Sequence, residues 1–368
     1  MRTGLALGFV SESPPWHLIS PLFPDKVGGR PAWLALKHLP SPNQLQCPYC
    51  KLPMVFVLQV YSTIDDRPDC FHRFLYLFMC RNGPCHDPNN IRAPFIVFRS
   101  QLSRSNPYYS YEPMETETPS LDLFQSWLQT GNLACAERFN SLCPICGCKG
   151  DKSCSQCKRI KYCSKSHQVI HWKESHKALC GAPQDTFPVG PSFDLNSFLL
   201  PEFKLCSEPA ERSVEHSDES CSSDSAAYET SQDDEEFQAL EALARHETDE
   251  EARFRKFRDI MSPEPDQVLR LQRGGEPIWL TATPPSVPDC DACGEKRIFE
   301  FQVTPQLLQY LKLDKLGEAS PDFGSLYIFT CSTSCTLPRT VGTSLSDGPN
   351  AEEVIEYQPE VVIRQLVL

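Results

Sequence analysis

A chain of 368 residues with 19 cysteines, 33 prolines and a net charge of −13 has room for a few modules and a sizeable core. Met1 to Val10 carries Arg2 and two glycines with no sustained apolar run, so no export signal is expected, and no apolar stretch approaches the ~18 residues that span a bilayer. Cysteine at this density without an export signal reads as metal binding in a reducing compartment, and so many prolines argue against long helices.

The first patterned unit opens at Gly28-Gly29-Arg30-Pro31-Ala32-Trp33-Leu34. After a proline-rich spacer comes a CxxC pair, Cys47 and Cys50, then the strand-like run Met54 to Val60, and then a second run, Phe74 to Met79, that ends at Cys80 with Cys85 beyond it. Aromatic and β-branched residues dominate both runs, as in strands. Cys47, Cys50, Cys80 and Cys85 therefore read as a four-cysteine zinc site clipping two strand ends. Pro113 to Ser120 is a polar connection, and Leu121 to Phe139 is expected to be a helix leading into the next module.

That module runs from Cys143 to Cys180. Its pairs Cys143/Cys146 and Cys154/Cys157 are CxxC turns, and Cys163/His167 and His176/Cys180 are spaced i, i+4, which places each pair on one helical face. Zinc takes four soft or borderline ligands in a tetrahedron, so eight ligands make two closed sites. The wiring reads as interleaved: Cys143, Cys146, Cys163 and His167 on one ion; Cys154, Cys157, His176 and Cys180 on the other. So short a segment has almost no core of its own, and metal would supply most of its folding free energy, on the order of 10 kcal/mol per site. Closed sites leave no position for a reacting water, so this zinc is expected to be structural. His171 reads as a solvated neighbour of Trp172, and Cys148, Cys70, Cys135, Cys206 and Cys221 as ordinary thiols.

Beyond the finger, Phe193, Leu195, Phe198, Leu199 and Leu200 are available to dock on the body. From Leu205 to Glu251 there are 16 acidic and 2 basic residues, a local charge of −14 that leaves the rest of the chain near +1. Its serine and acid content predicts a largely disordered linker. A helical pattern returns with Phe237, Leu240 and Leu243, then Phe254, Phe257 and Ile260.

The opening unit then recurs: Gly274-Gly275-Glu276-Pro277-Ile278-Trp279-Leu280, the pair Cys290/Cys293, the run Ile298 to Val303, and a run from Leu326 to Thr330 ending at Cys331 with Cys335 beyond it. Five features in one order, twice, indicate an internal duplication. Cys290, Cys293, Cys331 and Cys335 form the matching zinc site. Thr304-Pro305 reads as a helix N-cap with proline at the first helical position. The fold class expected is α+β and β-rich: a pseudo-duplicated, zinc-stapled domain of two halves, 1–112 and 255–368. The finger (140–181) and the acidic linker (205–251) are placed between them, and the stretch from about 113 to 255 reads as an insertion the host tolerates, because loop-closure cost rises slowly with length.

The Cys143–Cys180 segment resembles the MYND zinc finger, a cross-braced interaction module whose usual pattern has Cys before Gln where this chain has His167-Gln168. Imidazole nitrogen is an equally good zinc ligand. The whole layout, with Leu7-Gly8-Phe9-Val10, Phe23-Pro24-Asp25-Lys26-Val27 leading into the first Gly-Gly, the finger, and the region from Gly274 to Cys335, resembles the programmed cell death protein 2 family. That resemblance implies a nuclear and cytoplasmic escort that keeps a basic small-subunit ribosomal protein soluble until it joins the precursor of the 40S particle. An acidic segment beside the binding domain would suit such a client. A rival reading is a transcriptional adaptor whose finger grips proline-containing peptides and recruits corepressors, with a link to cell death or proliferation control. An enzyme is not expected: there is no P-loop, GxGxxG, HExxH or GxSxG. Direct DNA binding is disfavoured too. The finger's lysines and Arg159 make a positive patch, but the adjoining acidic segment would compete for it and nothing resembles a groove-reading helix.

Overall fold

The computed structural model describes residues 4–90, 94–182, 190–210, 248–281, 283–314, 320–336, 338–339, 353–354 and 356–366. Its strands are, in chain order, β1 (Ala6–Ser11), β2 (Lys26–Val27), β3 (Val55–Tyr61), β4 (His72–Met79), β5 (Phe95–Leu102), β6 (Lys152–Ser153), β7 (Lys161–Tyr162), β8 (Phe203–Pro209), β9 (Leu269–Leu271), β10 (Arg297–Val303), β11 (Ser325–Cys331), β12 (Pro338–Arg339), β13 (Glu353–Val354) and β14 (Gln358–Gln365). Ten of them close into one antiparallel barrel in the order β1-β8-β2-β3-β4-β5-β14-β11-β10-β9, with β9 returning to β1. The remaining four form two small ladders outside it.

The strand-like runs are continuously apolar because both of their faces are covered. On β4, Leu75, Leu77 and Met79 point into the barrel, where they meet Val55, Val97, Phe301, Leu326 and Ile328. Phe74, Tyr76 and Phe78, in alternate positions, point outward beneath Trp33 and the finger. The second half has the same layering, with Phe299, Tyr327 and Phe329 under Trp279.

Equivalent contacts recur in the two halves. The hairpins β3–β4 and β10–β11 each carry a register shift at the same place, between Phe56 and Leu58 and between Phe299 and Phe301. Trp33 stacks 6.0 Å from Phe78 and Trp279 6.1 Å from Phe329. The Tyr76 hydroxyl donates to the Ala32 carbonyl at 3.1 Å, and Tyr327 to that of Ile278 at 2.9 Å. Gly28 earns its place sterically: at φ 66° a Cβ there would lie 1.8 Å from the Pro201 carbonyl oxygen.

Three expectations are corrected. First, the stretch from about 113 to 255 is not a detachable insertion, and Leu205–Pro209 is not linker. Phe203–Pro209 is a barrel strand that fits between β1 and β2, with Leu205 buried in the core. Its strand pattern is short and borders an acid-rich run whose composition masks it. Residues 211–247, including the helical pattern at Phe237 to Leu243, lie outside the described residues. From Thr248 the chain forms a helix, Asp249–Met261, opened by a capping box between Thr248 and Glu251. Second, the helix expected over Leu121 to Phe139 ends at Thr130, because Gly131 takes a left-handed C-terminal cap at φ 66°. Third, Thr304 does not cap the helix Leu307–Tyr310; its hydroxyl donates instead to the Gln267 carbonyl at 2.6 Å.

One end of the barrel interior is polar. The Arg73 guanidinium meets Glu300 at 2.8 Å, both fully buried, and Arg273 reaches the other Glu300 oxygen at 2.6 Å. Ser62 and Thr330 hydroxyls complete the carboxylate's shell. Arg99 and Arg297 share Glu360 in the same way, at 2.7 and 3.3 Å. Arg73 and Arg99 come from the first half and both carboxylates from the second, so the network bolts the halves together.

Burial alone would raise the Glu300 pKa, but Arg73, then Arg273 and Ser62, hold it at about 2. A carboxylate depressed in the folded state stabilises the fold above its ordinary pKa, and that contribution is lost as pH falls. Stability should therefore drop between about pH 4.5 and pH 2. Glu300→Gln, which strands two guanidinium groups, should cost about 3–5 kcal/mol at neutral pH and flatten that acid limb. Denaturant titrations across pH check both outcomes.

Candidate metal centres

Four groups of residues bring their ligand atoms within 4.8 Å of one another: Cys47, Cys50, Cys80 and Cys85; Cys143, Cys146, Cys163 and His167; Cys154, Cys157, His176 and Cys180; and Cys290, Cys293, Cys331 and Cys335. All sixteen ligand candidates read from the sequence lie in these groups, and the finger's two sets interleave along the chain.

The local backbone explains how the pairs converge. After each CxxC the chain turns through a residue of positive φ: Lys51 (60°), Gly147 (71°), Lys158 (58°) and Gly294 (78°). The amide of that residue donates to the first cysteine's carbonyl in every case, at 3.1, 2.9, 3.0 and 2.8 Å. The tight turn directs both sulfurs to one side. The two outer turns thus have the same build as the two in the finger, although Lys51 and Lys158 adopt the left-handed conformation at a steric cost a glycine avoids.

The distances suit a tetrahedron. Zinc–sulfur bonds of about 2.3 Å and zinc–nitrogen bonds of about 2.0 Å imply sulfur–sulfur edges near 3.8 Å and sulfur–nitrogen edges near 3.5 Å. The structure has Cys50–Cys80 at 3.6 Å, Cys146–Cys163 at 3.6 Å, Cys290–Cys335 at 3.7 Å and Cys293–Cys331 at 3.5 Å. Cys143 and Cys157 stand 3.6 Å from the ring nitrogens of His167 and His176, while Cys163 is closer to His167, at 3.1 Å. These spacings are far beyond a disulfide bond, and every described cysteine is free. The residues fit a zinc ion.

Neither ligand histidine has a protein hydrogen bond on its far nitrogen. Ring packing orients them instead: Phe198 lies edge-on to His167 at 4.1 Å, and His171 stacks on His176 at 5.1 Å with the planes 9° apart. His171, expected to be a solvated neighbour, also bonds the Tyr162 hydroxyl at 2.9 Å. The helix that carries His167 and His176 passes from α (Lys165–His171) into one π turn (Trp172–His176), which helps to set the angle between the two sites.

The finger is docked on the barrel rather than tethered to it. The Trp33 indole N–H donates to the Gly147 carbonyl at 2.9 Å, and Arg30 donates to that of Pro144 at 2.7 Å. Arg30 and Trp33 belong to the first Gly-Gly motif, whose counterpart has Glu276 at the Arg30 position, and this difference is the sequence signal for the dock. The buried network of Arg73, Arg99, Glu300 and Glu360 also escaped the sequence reading. Its trace is a charge inside an apolar strand run, as in Ile298-Phe299-Glu300-Phe301.

A second feature is a cleft of about 660 Å³ lined by Phe23, Phe71, His72, Arg104, Tyr109, Tyr111, Met114 and Trp127, with Glu112 and Glu117 on its wall. Arg104 lies over the Tyr111 ring at 4.1 Å, and burial, with Arg104 nearby, lowers His72 to about 4.

A cross-braced pair of four-ligand clusters seated on a barrel makes this a MYND-finger protein, and residues 143–180 match the family model described as "MYND finger". Residues 4–116 match "Programmed cell death protein 2, N-terminal domain" and residues 251–364 "Programmed cell death protein 2, C-terminal putative domain". The chain belongs to the programmed cell death protein 2 family. It is 44% identical over 341 residues to the Bos taurus "Programmed cell death protein 2", covering 90% of this chain and 92% of the relative. The Mus musculus protein of that name is 42% identical over 336 residues, with the same shares of the two chains. A more distant match is "Probable 20S rRNA accumulation protein 4" of Schizosaccharomyces pombe, 30% identical over 102 residues, 24% of each chain. No solved structure matches. Among the described residues, no helix is long and apolar enough to cross a membrane.

Elemental analysis of the purified, chelator-washed chain should find four zinc ions; two would mean that the outer cysteines are free thiols. The two finger sites should differ in their effect on the barrel. Cys143 is buried in the core that includes Trp33, whereas Cys157 is partly exposed. Cys143→Ala should thus lower barrel stability by roughly 2–4 kcal/mol and Cys157→Ala by under about 1 kcal/mol, measured by chemical denaturation.

Proposed function

We propose that this chain is a non-enzymatic, zinc-stapled escort for a basic protein of the small ribosomal subunit, acting in the cytoplasm and nucleus. The observation that carries the reading is its similarity to the fission yeast protein named for 20S rRNA accumulation, which supports a part in ribosome biogenesis. Zinc in four closed sites would be structural, leaving the barrel surface for binding.

The aromatic cleft beside Trp127 is the surface we assign to the client. Aromatic faces with Glu112 and Glu117 on the wall suit lysine and arginine side chains, and Arg104 over Tyr111 already makes the contact such a side chain would make. The acidity concentrated before residue 252 would add long-range attraction for a basic client. Docking of the finger on the barrel favours escorting over a freely presented adaptor finger, because finger and barrel then act as one body.

Purification of the tagged chain from cells tests the reading. A stoichiometric, basic small-subunit ribosomal protein is the expected partner, held more weakly as salt rises. Chromatin corepressors as the stoichiometric partners, with no ribosomal protein, would establish the adaptor reading in its place.

A further inference from the structure

Each outer cysteine cluster is clasped by an arginine from the opposite half of the barrel. Across the β4–β5 ladder Leu75 faces Arg99, and across the β11–β14 ladder Leu326 faces Arg364. Leu75 lies five residues before Cys80 and Leu326 five before Cys331, so the two arginines hold the same register position in the two halves. Neither serves its own half. Arg99 donates to the Cys335 carbonyl at 2.8 Å, while Arg364 donates to the carbonyls of His86 and Asp87, just beyond Cys85, at 2.7 and 3.1 Å.

We propose that Arg99 and Arg364 are reciprocal positioning residues for the two outer metal sites, so that each cluster takes and keeps its ion only when the other half of the barrel is in place. This rests on reading the outer clusters as zinc sites. The loop from Cys331 to Cys335 shows how far the dependence goes. The first half also supplies Arg67 to the Thr333 carbonyl at 2.5 Å and Gln101 to that of Ser334 at 3.0 Å. Glu360, paired with Arg99, accepts the Cys331 amide at 3.1 Å. Ligand-bearing loops held by such second contacts have fixed sulfur positions before the ion arrives, and losing one contact costs metal affinity on the order of 10-fold or more. Charge acts in the same direction: four thiolates on a divalent ion leave a net negative site, which a guanidinium fork offsets while also satisfying carbonyls.

The test is alkylation of the zinc-loaded full chain with N-ethylmaleimide, followed cluster by cluster by peptide mass spectrometry. Arg364→Gln should speed alkylation of Cys47, Cys50, Cys80 and Cys85 on the order of 10-fold, with Cys290, Cys293, Cys331 and Cys335 much less affected. Arg99→Gln should do the reverse, and Arg→Lys at either position should restore part of the protection. Acceleration of the variant's own half, equal acceleration of both clusters, or no change would overturn the proposal. Should Arg99→Gln fail to fold, Arg364→Gln, at a partly exposed position, decides alone. Outer cysteines that react in the parent chain as fast as in denaturant would instead refute the zinc reading beneath it.

Discussion

Closure of the barrel is the constraint on which the rest of the structure depends. An open sheet of these strands would expose apolar faces and unpaired edges, and neither half has enough strands to cover its own. Two seams join them: β1 against β9 on one side and β5 against β14 on the other. Each seam pairs segments that are far apart in sequence. The pairing is exchanged as well, because β1 borders the second half's β9 while β8, made after the finger, borders the first half's β2. The ion network of Arg73, Arg99, Glu300 and Glu360 spans the β5–β14 side from within. Buried charge of this kind is costly to break and only modestly stabilising to keep.

Much of the site was legible because metal chemistry leaves a local mark. A CxxC pair needs only its own turn, whose closing residue takes positive φ whether it is a glycine (Gly147, Gly294) or a lysine (Lys51, Lys158). Which pairs converge follows order and spacing within each unit, since the strands that bring Cys80 to Cys50 are adjacent in the chain. The strands themselves were legible wherever both faces are apolar, as in Phe74 to Met79.

What was not legible is non-local. Nothing in Phe203-Lys204-Leu205-Cys206-Ser207 says that its partner is β1, some 195 residues earlier, because an alternating strand of seven residues carries one apolar face and no address. Glu300 stands as a lone charge in an apolar run, and its partner Arg73 lies 227 residues away in the other half. The docking of the finger was hidden in a single difference between two copies of one motif, Arg30 against Glu276. The helix end at Thr130 is hidden for a simpler reason: the apolar spacing runs on through Gly131, whose left-handed cap overrides periodicity.

The exchanged strands bear on how such a chain is made. During synthesis from the N-terminus, β1 emerges first but has neither neighbour until β8 and then β9 follow, and β5 waits for β14. The last stave arrives with Gln358–Gln365. Long-range pairings of this sort fold slowly and leave apolar strand faces uncovered in the interval. The finger, whose ligands span only Cys143 to Cys180, is synthesised much earlier, and by sitting on Trp33 it would cover the outer face of β4 before the barrel closes. The early docking of a small metal module would thus serve as a temporary roof for a nascent sheet, a role in time that its position in the finished fold does not disclose.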